Sequence, residues 1–148
     1  MPKLKMLIGV PGSGKSTYAS RQEGFSIAST DLVRKELYGD VNIQGGKEAW
    51  DTFYSILEHL VSTNVDILID NTNIKSKNRK EILDRCRGYQ VEFVLFNIPL
   101  WLCLQNNSNR ERKVPEEVIM KMYRQLDSQI HELMFLPNVT IIGTADVK

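Results

Sequence analysis

Gly9-Val10-Pro11-Gly12-Ser13-Gly14-Lys15-Ser16 decides the fold. The stretch fits G-x-x-x-x-G-K-[ST] at every fixed position. Before it, Leu4–Gly9 is an apolar run that predicts a buried strand. After it, a helix is predicted to open near Gly14–Ser16 and run to about Arg21. Each residue type in the loop has a physical task. Glycines let the backbone curl with its N–H groups turned inward as an anion nest, and the helix start adds the positive end of its dipole. Gly12, Ser13, Gly14, Lys15, Ser16 and Thr17 are therefore candidates to hold a nucleoside triphosphate such as ATP. Lys15 is expected on the β- and γ-phosphates, Ser16 on Mg²⁺ and Thr17 at the α-phosphate. The plainer reading is a glycine-rich turn that caps a helix and leaves Lys15 solvated. The strand before the loop and the helix after it argue against that reading.

Outward from the loop, short apolar runs alternate with amphipathic segments. Strands are predicted at Phe25–Ala28, Val65–Ile69, Val91–Ile98 and Val139–Ile142. Helices are predicted at Asp31–Tyr38, Ala49–Val61, Ser76–Cys86 and from Leu100 to about Asn106. A last helix starts at Pro115 and carries an apolar stripe from Ile119 to Met134. The alternation predicts an α/β fold, a mostly parallel five-stranded sheet with helices on both faces. The expectation is one domain over residues 1–148, with a short lid at about 107–114. Ligands in such sheets bind beyond the carboxyl ends of the strands, so candidate residues are sought there.

Asp31 follows the second strand and opens a helix, with Arg34 on the same face. A carboxylate there can take the proton of an attacking hydroxyl, and Arg34 can orient it and grip an anionic acceptor. Asp is also a preferred N-cap, and Asp–Arg at this spacing is a common surface pair. Asp70 ends the strand Val65–Ile69 and is a candidate metal residue beside Ser16. Asn71 follows it in place of a water-activating carboxylate, and no N-K-x-D signature occurs. Hydrolytic motors and GTPase switches are thereby disfavoured. The polar segment Asn107–Lys113 offers Arg110 or Arg112 as a lid arginine on the transferring phosphoryl group.

The chain has 19 basic and 18 acidic residues, a net charge of +1, which excludes a generic nucleic-acid coat. That balance is a cancellation. Lys75–Arg87 carries +4 and Arg110–Lys113 carries +2, leaving −5 on the rest. Lys75, Lys77 and Arg79 are expected either at the rim of the site, tracking a phosphate backbone, or on a solvated helix face. Trp50 and Tyr54, one turn apart, can stack on a base, though core packing is the simpler use. Cys86 and Cys103 form no CxxC pair and read as packing residues in a reduced, cytoplasmic protein. No apolar run reaches membrane-helix length, and no protein partner is implied.

Taken in order, G-x-P-G-S-G-K-S-T at Gly9–Thr17, D-x-x-R at Asp31–Arg34, D-x-T-N at Asp70–Asn73, N-S-x-R at Asn107–Arg110 and V-P-x-x-V…M-Y at Val114–Tyr123 resemble a known family. The resemblance is to the 5′-kinase domain of bacteriophage-type polynucleotide 5′-hydroxyl kinases, within the P-loop kinase superfamily. It covers about residues 4–126. It implies a P-loop kinase fold and transfer of the ATP γ-phosphate to the 5′-OH of DNA or RNA, in host cytoplasm if phage-encoded. By it, Lys15 and Ser16 bind the donor phosphates and metal, and Asp31 is the general base. Arg34 fixes that base and the acceptor phosphate, Arg110 is the lid arginine, and Asp70 supports the site. Two departures touch the acceptor side or closure: Thr30 stands where the family carries arginine, and the lid is shorter. Other expectations from the same loop are a small-molecule kinase acting on a nucleoside, sugar or cell-wall precursor, and a nucleotide-binding regulatory module. The tail Gly143–Asp146 is a further candidate for the adenine contact.

Overall fold

A computed structural model describes residues 1–39, 46–111 and 113–144. Five strands, β1 (Lys3–Ile8), β2 (Ser26–Ala28), β3 (Ile67–Ile69), β4 (Gln90–Phe96) and β5 (Val139–Ile142), form one sheet in the order β2-β3-β1-β4-β5. Every pairing is parallel, so all carboxyl ends emerge at one edge. β1 lies at the centre, where Leu7 and Ile8 are both fully buried, as are Leu4 and Met6. Successive strand residues point to opposite faces, so both faces of the central strand are covered. The sequence reading of an α/β P-loop kinase fold is the architecture observed.

The helices are α1 (Lys15–Ser20), α2 (Thr30–Tyr38), α3 (Gly46–Ser62), α4 (Ser76–Arg85), α5 (Leu100–Ser108), α6 (Glu116–Asp127) and α7 (Ile130–Met134). Phe53 and Leu57 of α3, Ile82 of α4, Cys103 of α5 and Ile119 of α6 close over the buried strands. Burial pushes the Cys86 and Cys103 thiols up to about 11, in keeping with packing residues.

Several boundaries differ from the sequence expectation. The expected Ile119–Met134 helix is two helices. Gln129 N–H bonds back to Leu126 O at 3.0 Å, tightening the turn, and its side chain leaves the helix to donate to Ile74 O at 2.9 Å. α5 runs on through Ser108, so the lid loop begins later than Asn107. β3 starts at Ile67 because the Asp66 carboxylate accepts from Lys3 N–H at 2.8 Å, turning that residue to an end-tie. β4 stops at Phe96, where its register with β5 ends at Ile142.

Arg79 corrects the expectation of a phosphate-tracking row. It is only 8% exposed, and its Nη1 donates to Asn73 O at 2.9 Å and Ile74 O at 2.7 Å. Its Nη2 donates to Gln129 Oε1 at 3.3 Å. The guanidinium thus closes the loop after β3 onto the α6–α7 junction, while Lys75 and Lys77 stay exposed. Arg79→Ala takes the donor from Asn73 O and one of two donors from Ile74 O, and is expected to lower the unfolding free energy by about 2–4 kcal/mol in urea titration. A surface arginine serving a substrate would leave stability within about 0.5 kcal/mol.

Candidate functional site

The loop after β1 is shaped by close backbone contact. Gly12 has φ +84°, and a Cβ there would sit 2.3 Å from the Cys103 carbonyl oxygen of α5. Only glycine fits both the conformation and the space. The Gly12 carbonyl accepts from Asn106 Nδ2 at 2.9 Å, and Gly9 N–H donates to Thr72 O at 3.0 Å. The loop is thereby clamped between α5 and the segment after β3. Gly14, at φ +99°, is the N-cap that turns the chain into α1.

Lys15 is the first residue of α1 and is 8% exposed. Its ammonium folds back over the loop and donates to Val10 O at 3.0 Å. Burial, above all, pushes its pKa below the ordinary lysine value; the nearby Asp70 and Asp31 carboxylates pull it up, and Arg110 pushes it down. Asp31, Asp70 and Arg110 are therefore all felt at one ammonium. They also line one cleft of about 730 Å³, together with Ser16, Thr17 and Arg34.

Ser16 Oγ donates to Asp70 Oδ2 at 3.3 Å. Two adjacent oxygens beside a phosphate loop fit a hard divalent cation that keeps most of its ligands as water and phosphate. Among the described residues, no cluster of three or more His, Cys, Asp or Glu is built to hold a metal alone.

Asp31 sits in the first turn of α2, whose N-cap Ser29 accepts from Leu32 N–H at 3.4 Å. Arg34 Nη2 pairs with Asp31 Oδ1 across one helical turn. The aspartate side chain is 44% exposed and the arginine 15%, so the pair has an open carboxylate and a sheltered guanidinium. Thr30 is held by Asn71, whose Oδ1 accepts from Thr30 N–H at 2.7 Å and Thr30 Oγ1 at 3.1 Å. This amide ties the head of α2 to the segment that carries Asp70.

The lid loop is pinned by a second amide. Asn107 is buried, its Nδ2 donating to Val114 O at 2.7 Å and its Oδ1 accepting from Val114 N–H at 2.9 Å. The same Oδ1 accepts from Arg110 Nη2 at 2.9 Å, which holds Arg110 at the cleft. Arg112, the other lid arginine considered, lies outside the described residues, as do Ala145 and Asp146 of the proposed adenine contact. Ile142 does line the cleft at the end of β5. Sequence reasoning did not single out the supporting roles of Asn71, Asn106 and Asn107. Asn107 opens the N-S-x-R motif and Asn71 lies within D-x-T-N, but neither motif tells which backbone groups these amides clamp.

A family model described as an AAA domain matches residues 4–128. The chain belongs to this AAA domain family. The match and the observed sheet together make it a P-loop kinase domain of the nucleoside-triphosphate-binding, kinase-type phosphotransferase class. An L-seryl-tRNA(Sec) kinase of Methanococcus maripaludis is 25% identical over 97% of this chain and 60% of its own length. A candidate bifunctional polynucleotide kinase/RNA ligase of Autographa californica nuclear polyhedrosis virus is 29% identical over 83% of this chain and 20% of its own. This chain thus spans less than two thirds of either relative. Among solved structures, a chain of the Pnkp1/Rnl/Hen1 RNA repair complex superposes with TM-score 0.73 at 22% identity, covering 88% of this chain and 46% of that one. A gluconokinase from Sinorhizobium meliloti 1021 superposes with TM-score 0.62 at 17% identity, covering 97% and 83%.

The buried ammonium gives the AAA domain a pH signature. Lys15 titrates below 10.5 when folded and near 10.5 when unfolded, so between those values the unfolded chain binds more protons. Stability from this group therefore rises as pH climbs through the folded value, and below both values the charged lysine is a cost. Lys15→Met is expected to melt higher than the parent near pH 7 in calorimetry without nucleotide. The same variant should lose the Tm increase that ATP confers on the parent. Gly12→Ala, driven into the Cys103 carbonyl, should lose both stability and nucleotide binding.

Proposed function

We propose that the domain is a polynucleotide 5′-hydroxyl kinase that moves the γ-phosphate of ATP, or a similar nucleoside triphosphate, to the 5′-OH of DNA or RNA. The observation that carries the reading is the Asp31–Arg34 pair at the head of α2, in the same cleft as Lys15, Ser16 and Arg110. A base with an open carboxylate and a sheltered cation beside it suits a hydroxyl whose neighbours are phosphates. Two relatives, one named for seryl-tRNA and one for polynucleotide, and the RNA repair complex support an acceptor hydroxyl carried on nucleic acid.

In this reading the 5′-oxygen attacks the γ-phosphorus while its proton passes to an Asp31 carboxylate oxygen. The bond from the γ-phosphorus to the β–γ bridging oxygen breaks, and the nucleoside diphosphate leaves. Lys15 and the loop N–H groups hold the donor phosphates, Thr17 stands at the α-phosphate, and Arg110 neutralises charge spreading over the transferred group. Arg34 holds Asp31 in place and meets the acceptor phosphate. Ser16 and Asp70 would hold Mg²⁺, which would supply charge neutralisation to the donor phosphates.

The gluconokinase neighbour favours a second reading, a small-molecule acceptor on the same machinery. An acceptor panel with labelled ATP and Mg²⁺ at two salt concentrations separates them. Transfer to a 5′-OH oligonucleotide is expected, with KM rising steeply with salt as phosphate contacts are screened. Transfer confined to a sugar or nucleoside would overturn the proposal. Asp31→Asn is expected to cut turnover about 10²–10⁴-fold while ATP affinity stays within a few-fold of the parent. A regulatory nucleotide binder would show no turnover to lose.

A further inference from the structure

The cleft has two halves set by the order of the strands. β1 and its phosphate loop occupy the middle, with β4, β5 and α5 on one side and β3, β2 and α2 on the other. Arg110, Asn106 and Ile142 line the α5–β5 side. Asp31 and Arg34 line the α2 side, and α3 packs against α2 and β2 at that same edge. A donor triphosphate running from Lys15 toward Arg110 leaves the α2–α3 side to the acceptor.

Three aromatic rings line the cleft among the described residues: Tyr18, Phe96 and Trp50. Tyr18 and Phe96 meet edge to face at 5.6 Å beside β4, and the Tyr18 hydroxyl accepts from Lys5 Nζ at 3.0 Å. Trp50 is the ring on the acceptor half. It is half-buried, in the first turns of α3, and anchored from behind. The fully buried Phe53 meets it edge to face at 5.7 Å and 80°. Tyr54 lies tilted against it at 5.6 Å and 33°, itself covered by the Arg85 guanidinium at 3.9 Å from the ring centroid. The indole is therefore held by a packed aromatic cluster while its outer surface lines a polar cleft. The position just before the base offers no such plane, since Thr30 is short and its hydroxyl is bonded to Asn71.

We infer that Trp50 is the stacking platform for the terminal nucleobase of the acceptor strand. The inference rests on the polynucleotide reading and deepens it. A nucleoside whose 5′-oxygen meets Asp31 carries its base away from the reacting phosphorus. A rigid indole in the same half-cleft offers that base a flat apolar face. Stacking of this kind tolerates every base, because each has a π-face, so the site selects a nucleic-acid end over a bare sugar without reading sequence. Such contact is made equally in the ground state and the transition state, so it acts on KM and not on kcat.

The test pairs Trp50 variants with two 5′-OH oligonucleotides, one with an intact 5′-terminal residue and one abasic there. With the intact end, Trp50→Leu is expected to raise KM roughly ten-fold or more with kcat within about two-fold, and Trp50→Phe to keep most of the affinity. On the abasic end the parent should already show the raised KM, and Trp50→Leu should add nothing, the coupling expected of a direct contact. The chain has two tryptophans, and Trp101 is 63% exposed, so a W101F background leaves Trp50 as the only reporter. Its fluorescence should be quenched by the intact oligonucleotide and not by the abasic one. An equal Trp50→Leu penalty on both ends, or equal parent KM for both, would assign Trp50 to packing and overturn the inference alone. A parent that phosphorylates neither end would overturn the polynucleotide reading with it.

Discussion

An ammonium buried beyond the carboxyl end of the central strand constrains everything around it. β1 is driven into the core by its apolar side chains, and its end delivers Lys15 to a place that water scarcely reaches. Desolvating a cation is costly unless partners replace its hydration. Here one backbone carbonyl, that of Val10, accepts directly, and the Asp70 and Asp31 carboxylates contribute only their field, against Arg110. Desolvation remains the largest influence on Lys15, so the protein's own carboxylates only partly offset the cost of burying its charge. A triphosphate supplies what is missing. Part of its binding free energy would then be relief of a cost already built into the fold, the basis of the Tm increase expected with ATP.

The parts around that cation are joined by neutral amides. Asn71 ties Thr30, and so the head of α2, to the end of β3. Asn73 donates to Leu7 O of β1 at 2.6 Å. Asn106 holds the phosphate loop and Asn107 holds both sides of the lid loop at Val114. Each such bond contributes about 1 kcal/mol net, and an amide adds no charge to a cleft whose function depends on a charge imbalance. A carboxylate at any of these positions would compete with phosphate for Lys15 and Arg110. At these clamps uncharged side chains hold the geometry, while outside the cleft the Arg79 guanidinium does the same for the loop after β3.

The division explains what the chain revealed as a sequence. The phosphate loop was legible because its demands are local: glycine conformations, a strand before it and a helix after it. The strands were legible because burial on both faces leaves uninterrupted apolar runs. Asp31 and Arg34 were legible because their separation is one helical turn on a helix that must start at the carboxyl edge. Arg79 was not, because its partners are carbonyls five and six residues away plus Gln129, fifty positions on. Charge counting sees such an arginine only as a cation. The break after Asp127 was equally hidden, since the apolar stripe runs through it unbroken while Gln129 leaves the helix for Ile74. The asparagine clamps carry no periodicity and no charge, so they register only once the loops are brought together.

Position in the sheet also separates transfer from acceptor choice. In the proposed reading, the groups that meet phosphate are on the loops after β1 and β3 and just past the end of α5. Those proposed to face the acceptor are on α2 and α3 at the β2 edge, where the buried Phe53 meets the Trp50 ring and that ring lines the cleft. The two halves are linked by the Asn71 amide, which holds Thr30 to the segment after β3, and by the Asp31 carboxylate, whose field is felt at Lys15. One fold is shared by a gluconokinase and a chain of an RNA repair complex, so the fold does not by itself fix the acceptor. Under the proposed function the burden of specificity falls on a few side chains of the α2–α3 pair, Arg34 for charge and Trp50 for a flat ring.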